Sequence, residues 1–143
     1  MKHFFIILAC CFSLSIFAQN DTLITAQLIC PKKVEDNHKL LVTLEINRAN
    51  NKGFARFTQK LPPKFNVQME DQGLAQFETL KDGFRLVWFD MPGNPIFTVS
   101  FSIQIPNQYV GELILGGVFE YLNQDASTSI EIKPVLVKCG KFQ

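Results

Sequence analysis

Nucleophilic catalysis needs a base within hydrogen-bond reach of the attacking group, and this chain of 143 residues carries two histidines, His3 and His38. His3 belongs to an apolar leader. His38 closes the run Glu35-Asp36-Asn37-His38, where an imidazole reads as a solvated loop group. No Gly-x-Ser-x-Gly, Walker-type or His-Glu-x-x-His sequence is present. Of the four cysteines, Cys10 and Cys11 lie in the leader. Cys30, Cys139 and His38 then fall short of a four-ligand zinc site without carboxylate help. Carboxylates are the softer lead. Glu35-Asp36 and Glu70-Asp71 are adjacent pairs, and Asp82 and Asp90 end strand-like segments. A hydrolase would need two of them facing each other across a cleft, whereas acidic residues at turns are ordinarily there for local hydrogen bonds. No Asp-x-[Asp/Asn]-x-[Asp/Asn]-Gly calcium loop occurs. The sequence therefore predicts no catalytic residue, no metal and no cofactor, with a carboxylate-based hydrolase as the weakest alternative.

The aromatic residues offer binding chemistry instead. Trp88 and Phe89 are consecutive in a strand-like run, so they point to opposite faces. Phe84, Leu86 and Trp88 share one side; Arg85, Val87 and Phe89 share the other. One set is core. The other, joined by Phe57 or Tyr121, is the candidate contact patch: Trp88, Phe89, Phe57 and Tyr121. A carbohydrate-binding alternative would use Trp88 with Tyr109 or Tyr121 as sugar platforms.

The elements that position these groups follow a leader. Lys2 and His3 precede an apolar run over 4–17, and Ala18 supplies a small residue before polar Gln19-Asn20-Asp21, the pattern of a cleaved secretory signal at 1–18. The run is shorter than the roughly 20 residues that cross a bilayer, so no transmembrane anchor is expected after cleavage. Ile7-Leu8-Ala9-Cys10 resembles a lipoprotein box, but the apolar run continues past Cys10 where a tether would be polar, which favours cleavage after Ala18 over lipidation of Cys10. The expected address is therefore periplasmic, secreted or cell-surface. Export also favours a disulfide between Cys30 and Cys139. Such a bridge would close a loop of about 110 residues, worth about 4–5 kcal/mol in the chain-entropy account.

Residues 19–143 form one expected domain. Once Lys2 leaves, 13 basic residues balance 13 acidic ones, so no excess charge is available to neutralise nucleic-acid phosphates. The periodicity is that of strands almost throughout. Ile24, Ala26, Leu28 and Cys30 alternate with Thr25, Gln27 and Ile29. Leu40, Val42, Leu44 and Ile46 form one face with Thr43 and Glu45 opposite, and Phe97, Val99, Phe101, Ile103 and Ile105 alternate with Thr98, Ser100, Ser102 and Gln104. Lys81-Asp82-Gly83 reads as a hairpin turn, with the Asp-Gly pair supplying the positive φ. Gly116-Gly117 reads as a bulge inside one long strand, and 123–127 as a polar turn. No stretch carries a sustained helical pattern. Eight or nine short strands predict an all-β, two-sheet β-sandwich of immunoglobulin-like or cohesin-like type.

Gly53-Phe54-Ala55, Leu61-Pro62, Phe65, Ala75-x-Phe77, Val87-Trp88, Met91-Pro92, Phe97-Thr98-Val99-Ser100, Gly111 and Gly117-x-Phe119-x-Tyr121 together resemble a pattern in uncharacterised secreted bacterial proteins. Its layout is similar to that of cohesin modules. The resemblance spans about 23–137 and implies a nine-stranded sandwich with first and last strands side by side, a neighbourhood suited to a Cys30–Cys139 bridge. True cohesins sit as modules within long scaffold chains, so the resemblance implies their layout and not dockerin binding. The expected function is a non-catalytic interaction module. Its expected partner is an envelope or cell-surface protein, with a polysaccharide as the alternative.

Overall fold

A computed structural model describes residues 23–142; the expected leader, with Cys10, lies outside the described residues. Twelve strands follow one another: β1 (Thr25–Ile29), β2 (Lys33–Val34), β3 (Lys39–Asn47), β4 (Ala55–Lys60), β5 (Asn66–Asp71), β6 (Gln76–Leu80), β7 (Gly83–Trp88), β8 (Ile96–Gln104), β9 (Gly111–Leu115), β10 (Val118–Asn123), β11 (Ala126–Glu131) and β12 (Val135–Cys139). One sheet has the order β1-β3-β8-β5, and the second has the order β11-β10-β4-β7-β6. A smaller third sheet has the order β2-β12-β9. All twelve are linked antiparallel except β2 and β12, which run parallel. No helix long and apolar enough to cross a membrane occurs among the described residues.

The two large sheets pack as a sandwich because alternate residues of each strand are apolar. From one sheet, Leu40, Val42, Leu44, Ile46, Val99, Phe101 and Ile103 turn inward; from the other come Phe57, Phe84, Leu86, Trp88 and Phe119. The layers meet through aromatic edges: Phe101 lies 4.9 Å from Phe84 and 6.4 Å from Phe57, and Phe97 lies 5.7 Å from Trp88. Each such pair adds about 0.5–1.5 kcal/mol to the burial itself. Leu113, Leu115 and Val137 carry the third sheet into the same core.

The count exceeds the eight or nine strands expected, for three local reasons. Gly116-Gly117 is not a bulge in one strand: β9 belongs to the three-stranded sheet and β10 to the five-stranded one. The chain changes sheets there, and a Cβ on Gly117 would stand 2.5 Å from the Phe57 ring and 2.5 Å from the Thr58 carbonyl oxygen. The expected polar turn at 123–127 shrinks to Gln124-Asp125, both at positive φ, which matches a tight hairpin of primed type. β11 therefore starts at Ala126, and it is a strand separate from β12, since β11 belongs to the five-stranded sheet and β12 to the three-stranded one. The charged connection after Pro31 also contributes β2. At the β6–β7 hairpin, Lys81 and Asp82 form the loop and Gly83 already pairs with Leu80. The glycine is required there by close approach, since a Cβ would meet the Gln59 carbonyl oxygen at 2.0 Å.

The disulfide expectation is corrected. Cys30 and Cys139 are free thiols. The strand beside the end of β12 is β2 rather than β1, so Cys139 stands opposite Val34 and not opposite the residue that ends the first strand. Burial pushes both thiols above their usual pKa.

Candidate functional site

In β7 the alternation sends Phe84, Leu86 and Trp88 into the core, all fully buried, and Arg85 and Val87 to the outer face. Phe89, the next residue, is 65% exposed. Of the four aromatic residues expected to form a contact patch, this leaves one. Trp88 and Phe57 are 0% exposed and Tyr121 is 7% exposed, because all three lie on inward positions of their strands. The sugar-platform reading loses Trp88 and Tyr121 on the same ground. Tyr109 packs edge-on against Phe65 at 4.9 Å.

Phe89 has partners that the sequence reading did not select. Phe54 meets it edge to face at 6.5 Å. Leu122 lies alongside, its N–H donating to the Phe54 carbonyl at 3.2 Å and its side chain 42% exposed. The strand register turns these into a row across one end of the five-stranded sheet's outer face. The next row runs Ser129, Glu120, Arg56, Val87, Gln76, and the one after it runs Glu131, Val118, Thr58, Arg85, Glu78. Arg56 and Glu120 pair at 2.6 Å, and Arg85 and Glu78 at 3.5 Å. The face is thus an apolar end followed by two ion pairs, with Glu131 at the edge of the far row. A sequence signal for Phe54 existed, since it follows Gly53 at a strand start with the parity of Arg56 and Thr58. Leu122 shares the parity of Val118 and Glu120.

The outer face of the four-stranded sheet differs. Its side chains bond to one another: Gln27 donates to Glu45 at 2.8 Å, Lys39 to Gln68 at 3.2 Å and Ser102 to Glu70 at 2.7 Å. A hydroxyl pair, Thr43 and Ser100, stands at 3.4 Å. That face also exposes Ile29, Leu41 and Ile96, each opposite a polar residue, Thr43, Ser102 and Asn47 respectively, so its apolar groups alternate with polar ones instead of forming an aromatic row.

The loop after Phe89 is held by Arg48, which is 3% exposed. Its guanidinium donates to the carbonyls of Pro92 (2.7 Å), Ala49 (2.9 Å), Asn51 (3.4 Å) and Gly93. The Met91 N–H donates to the Lys52 carbonyl at 3.0 Å. Arg48 is a positioning residue for the apolar row, and nothing in the run Asn47-Arg48-Ala49 marks it as such beforehand.

The acidic residues do not converge. Asp82 and Asp90 flank the two ends of β7, about 26 Å apart at the usual rise of a strand, far beyond the ~5–10 Å a glycosidase pair spans. Asp36 accepts from the Gln108 N–H at 2.7 Å, and Asp71 from the Gly73 N–H at 3.1 Å. His38 Nδ1 lies 2.9 Å from the Asp36 carbonyl. No group of three or more His, Cys, Asp or Glu side chains able to hold a metal occurs among the described residues.

No protein-family model matches the chain, and no curated protein matches it by sequence. Among solved structures, it is similar to a non-cellulosomal cohesin from the hyperthermophilic archaeon Archaeoglobus fulgidus, with a TM-score of 0.55 and 11% identity. The match covers 82% of this chain and 92% of that one. The fold is cohesin-like. The expected layout holds, with twelve strands in place of nine. A GH20 exo β-N-acetylglucosaminidase from Vibrio harveyi also matches, over 84% of this chain and 19% of that one, at a TM-score of 0.47 and 11% identity, too weak a likeness to support any inference. In one respect the cohesin-like sandwich departs from the expected neighbourhood: β1 and β12 belong to different sheets.

Proposed function

We propose that this protein is an exported, non-catalytic interaction module. Its partner, an envelope or cell-surface protein, docks on the outer face of the five-stranded sheet at Phe54, Phe89 and Leu122. The observation that carries this reading is the apolar row beside charges paired with one another, Arg56 with Glu120 and Arg85 with Glu78. A partner covering the row desolvates two aromatic rings and a leucine with ion pairs at its border, which is the anatomy of an interface centre with a polar rim. The cohesin-like fold supports the same class of function. The leader-like residues 1–18 support export.

Two measurements test it. Pull-down from an envelope fraction with residues 19–143 as bait is expected to recover one protein in stoichiometric amount, and Phe89→Ser to weaken its affinity by about 30-fold or more, as for a central hot spot. Recovery of a partner equally well by Phe89→Ser would move the site elsewhere, and repeated recovery of the bare monomer would overturn the interaction reading. N-terminal sequencing of the exported protein is expected to begin at Gln19.

A further inference from the structure

We propose that the cleft between β1 and β12 is a second docking site, one that takes an extended, acidic segment of a partner protein. Two observations carry it. The first is a gap between strand edges. β1 pairs with β3 on one side and with no strand on the other among the described residues. β12 pairs with β9 along its length, but with β2 only at Lys138 and Cys139. The edges of β1 and of the start of β12 therefore border an open cleft of about 610 Å³, floored in part by Leu28 and Leu136. Unpaired strand edges present backbone donors and acceptors in the spacing that an added strand satisfies.

The second observation is charge. Lys32, Lys33, Lys133 and Lys138 all line this cleft, and no carboxylate does. Four of the 13 basic residues of an otherwise neutral domain thus gather from two distant stretches of chain. Lys33 and Lys138 are register neighbours on paired strands, a like-charge juxtaposition that disfavours the fold. The ion pairs among the described residues, Arg56–Glu120 and Arg85–Glu78, lie on another sheet. Glu112 stands opposite Lys138 on the β9 side and offsets part of that repulsion, but none of the four lysines forms an ion pair among the described residues. Lysines can also simply guard an edge against self-association, and the experiment separates that role from recognition.

The probe is a fluorescently labelled peptide of alternating Glu and Val, about six residues long to match a common strand length, titrated into residues 19–143 and followed by anisotropy. Saturable binding is expected, falling steeply with added salt. The double substitution Lys33→Gln/Lys138→Gln is expected to weaken it about tenfold or more. A peptide with proline at alternate positions, unable to donate backbone hydrogen bonds, is expected to bind much more weakly. Phe89→Ser is expected to bind the probe unchanged, so failure here and failure of the reading above are distinguishable. The lysines are exposed, and retention of buried-Trp88 fluorescence shows that the substituted protein is folded. Absence of binding, or equal binding by the lysine variant, overturns the proposal. So does equal binding of the proline-containing peptide or preference for an acidic polysaccharide such as polygalacturonate, since either makes the cleft a general anion site. Self-association of the lysine variant with unchanged peptide affinity overturns it in favour of edge protection.

Discussion

Replacing Arg48 with methionine removes the guanidinium and keeps much of the aliphatic stem, so the change isolates the hydrogen bonds from the packing. Arg48 is 3% exposed and pairs with no carboxylate within ion-pair distance among the described residues. Its charge is satisfied by backbone carbonyls alone. A net hydrogen bond from a charged group contributes about 1.5–3 kcal/mol. The bonds to Pro92 and Ala49, at 2.7 and 2.9 Å, are well formed, and that to Asn51 at 3.4 Å is marginal. Methionine would leave those carbonyls without their donor, but Pro92 and Gly93 lie in a loop that water can reach after a small shift. Removing the buried charge also relieves its desolvation. The balance is a loss of about 3–5 kcal/mol, a large part of the ~5–15 kcal/mol by which domains are stable. At about 3–4 °C per kcal/mol for a domain of this size, the melting temperature should fall by about 9–20 °C. Urea unfolding should show the lower midpoint with an unchanged slope. Lysine at this position is expected to be intermediate, because a point charge cannot reach across the same fork of carbonyls. A loss under about 1 kcal/mol for methionine would refute the account, showing that the loop holds itself and that Phe89 does not depend on Arg48.

Other outcomes follow from burial and close contact. Trp88, the one tryptophan of the chain, is expected to fluoresce at short wavelength, to resist iodide and to be indifferent to added polysaccharide; quenching by a sugar polymer would return it to the surface. Gly117→Ala is expected to cost more than Gly116→Ala. Its Cβ would meet backbone at 2.5 Å, against 3.1 Å for the Gly116 neighbour, and overpacking of this kind costs about 1–3 kcal/mol. Equal melting temperatures would argue against the crossing at Phe57. Both cysteines of residues 19–143 should titrate with Ellman's reagent in denaturant without reductant and react slowly in the native state, whereas a single bridge would leave none. Burial raises both thiols above the ordinary thiol range. The unfolded chain therefore loses these protons first. Stability should be unaffected below about pH 9 and fall as pH rises beyond it, and Cys30→Ser with Cys139→Ser should flatten that decline.

Alternation of apolar and polar residues made most of the strands legible, since a two-residue period places every second side chain on one face. It also confined Trp88 and Phe89 to opposite faces. The local signal for which of the two is core was a single residue: Arg85, on the side of Val87 and Phe89, is the one charged group that sets that face apart from Phe84, Leu86 and Trp88. The decision came from Phe97 and Phe101 on a strand of the opposite sheet. The candidate row has the same character. Phe54 and Leu122 each sit at a position whose parity is clear, but their adjacency to Phe89 depends on the pairing of β10, β4 and β7. Arg48 carried no signal, because its partners are backbone carbonyls, two of them local at Ala49 and Asn51 and two supplied by a loop more than forty residues further along.

By itself, then, the sequence determined an all-β chain whose residues 19–143 carry as many basic as acidic groups, and inward and outward positions along each strand. Those properties are local, set by side-chain chemistry and the pleat. Only the tertiary structure decided that the chain changes sheets at Gly116-Gly117, that β2 takes the place beside β12 and parts Cys30 from Cys139, and that four lysines from two distant segments border one cleft. Each of these depends on strand partners remote in sequence, and a two-residue period says which way a side chain points but not which strand it will meet.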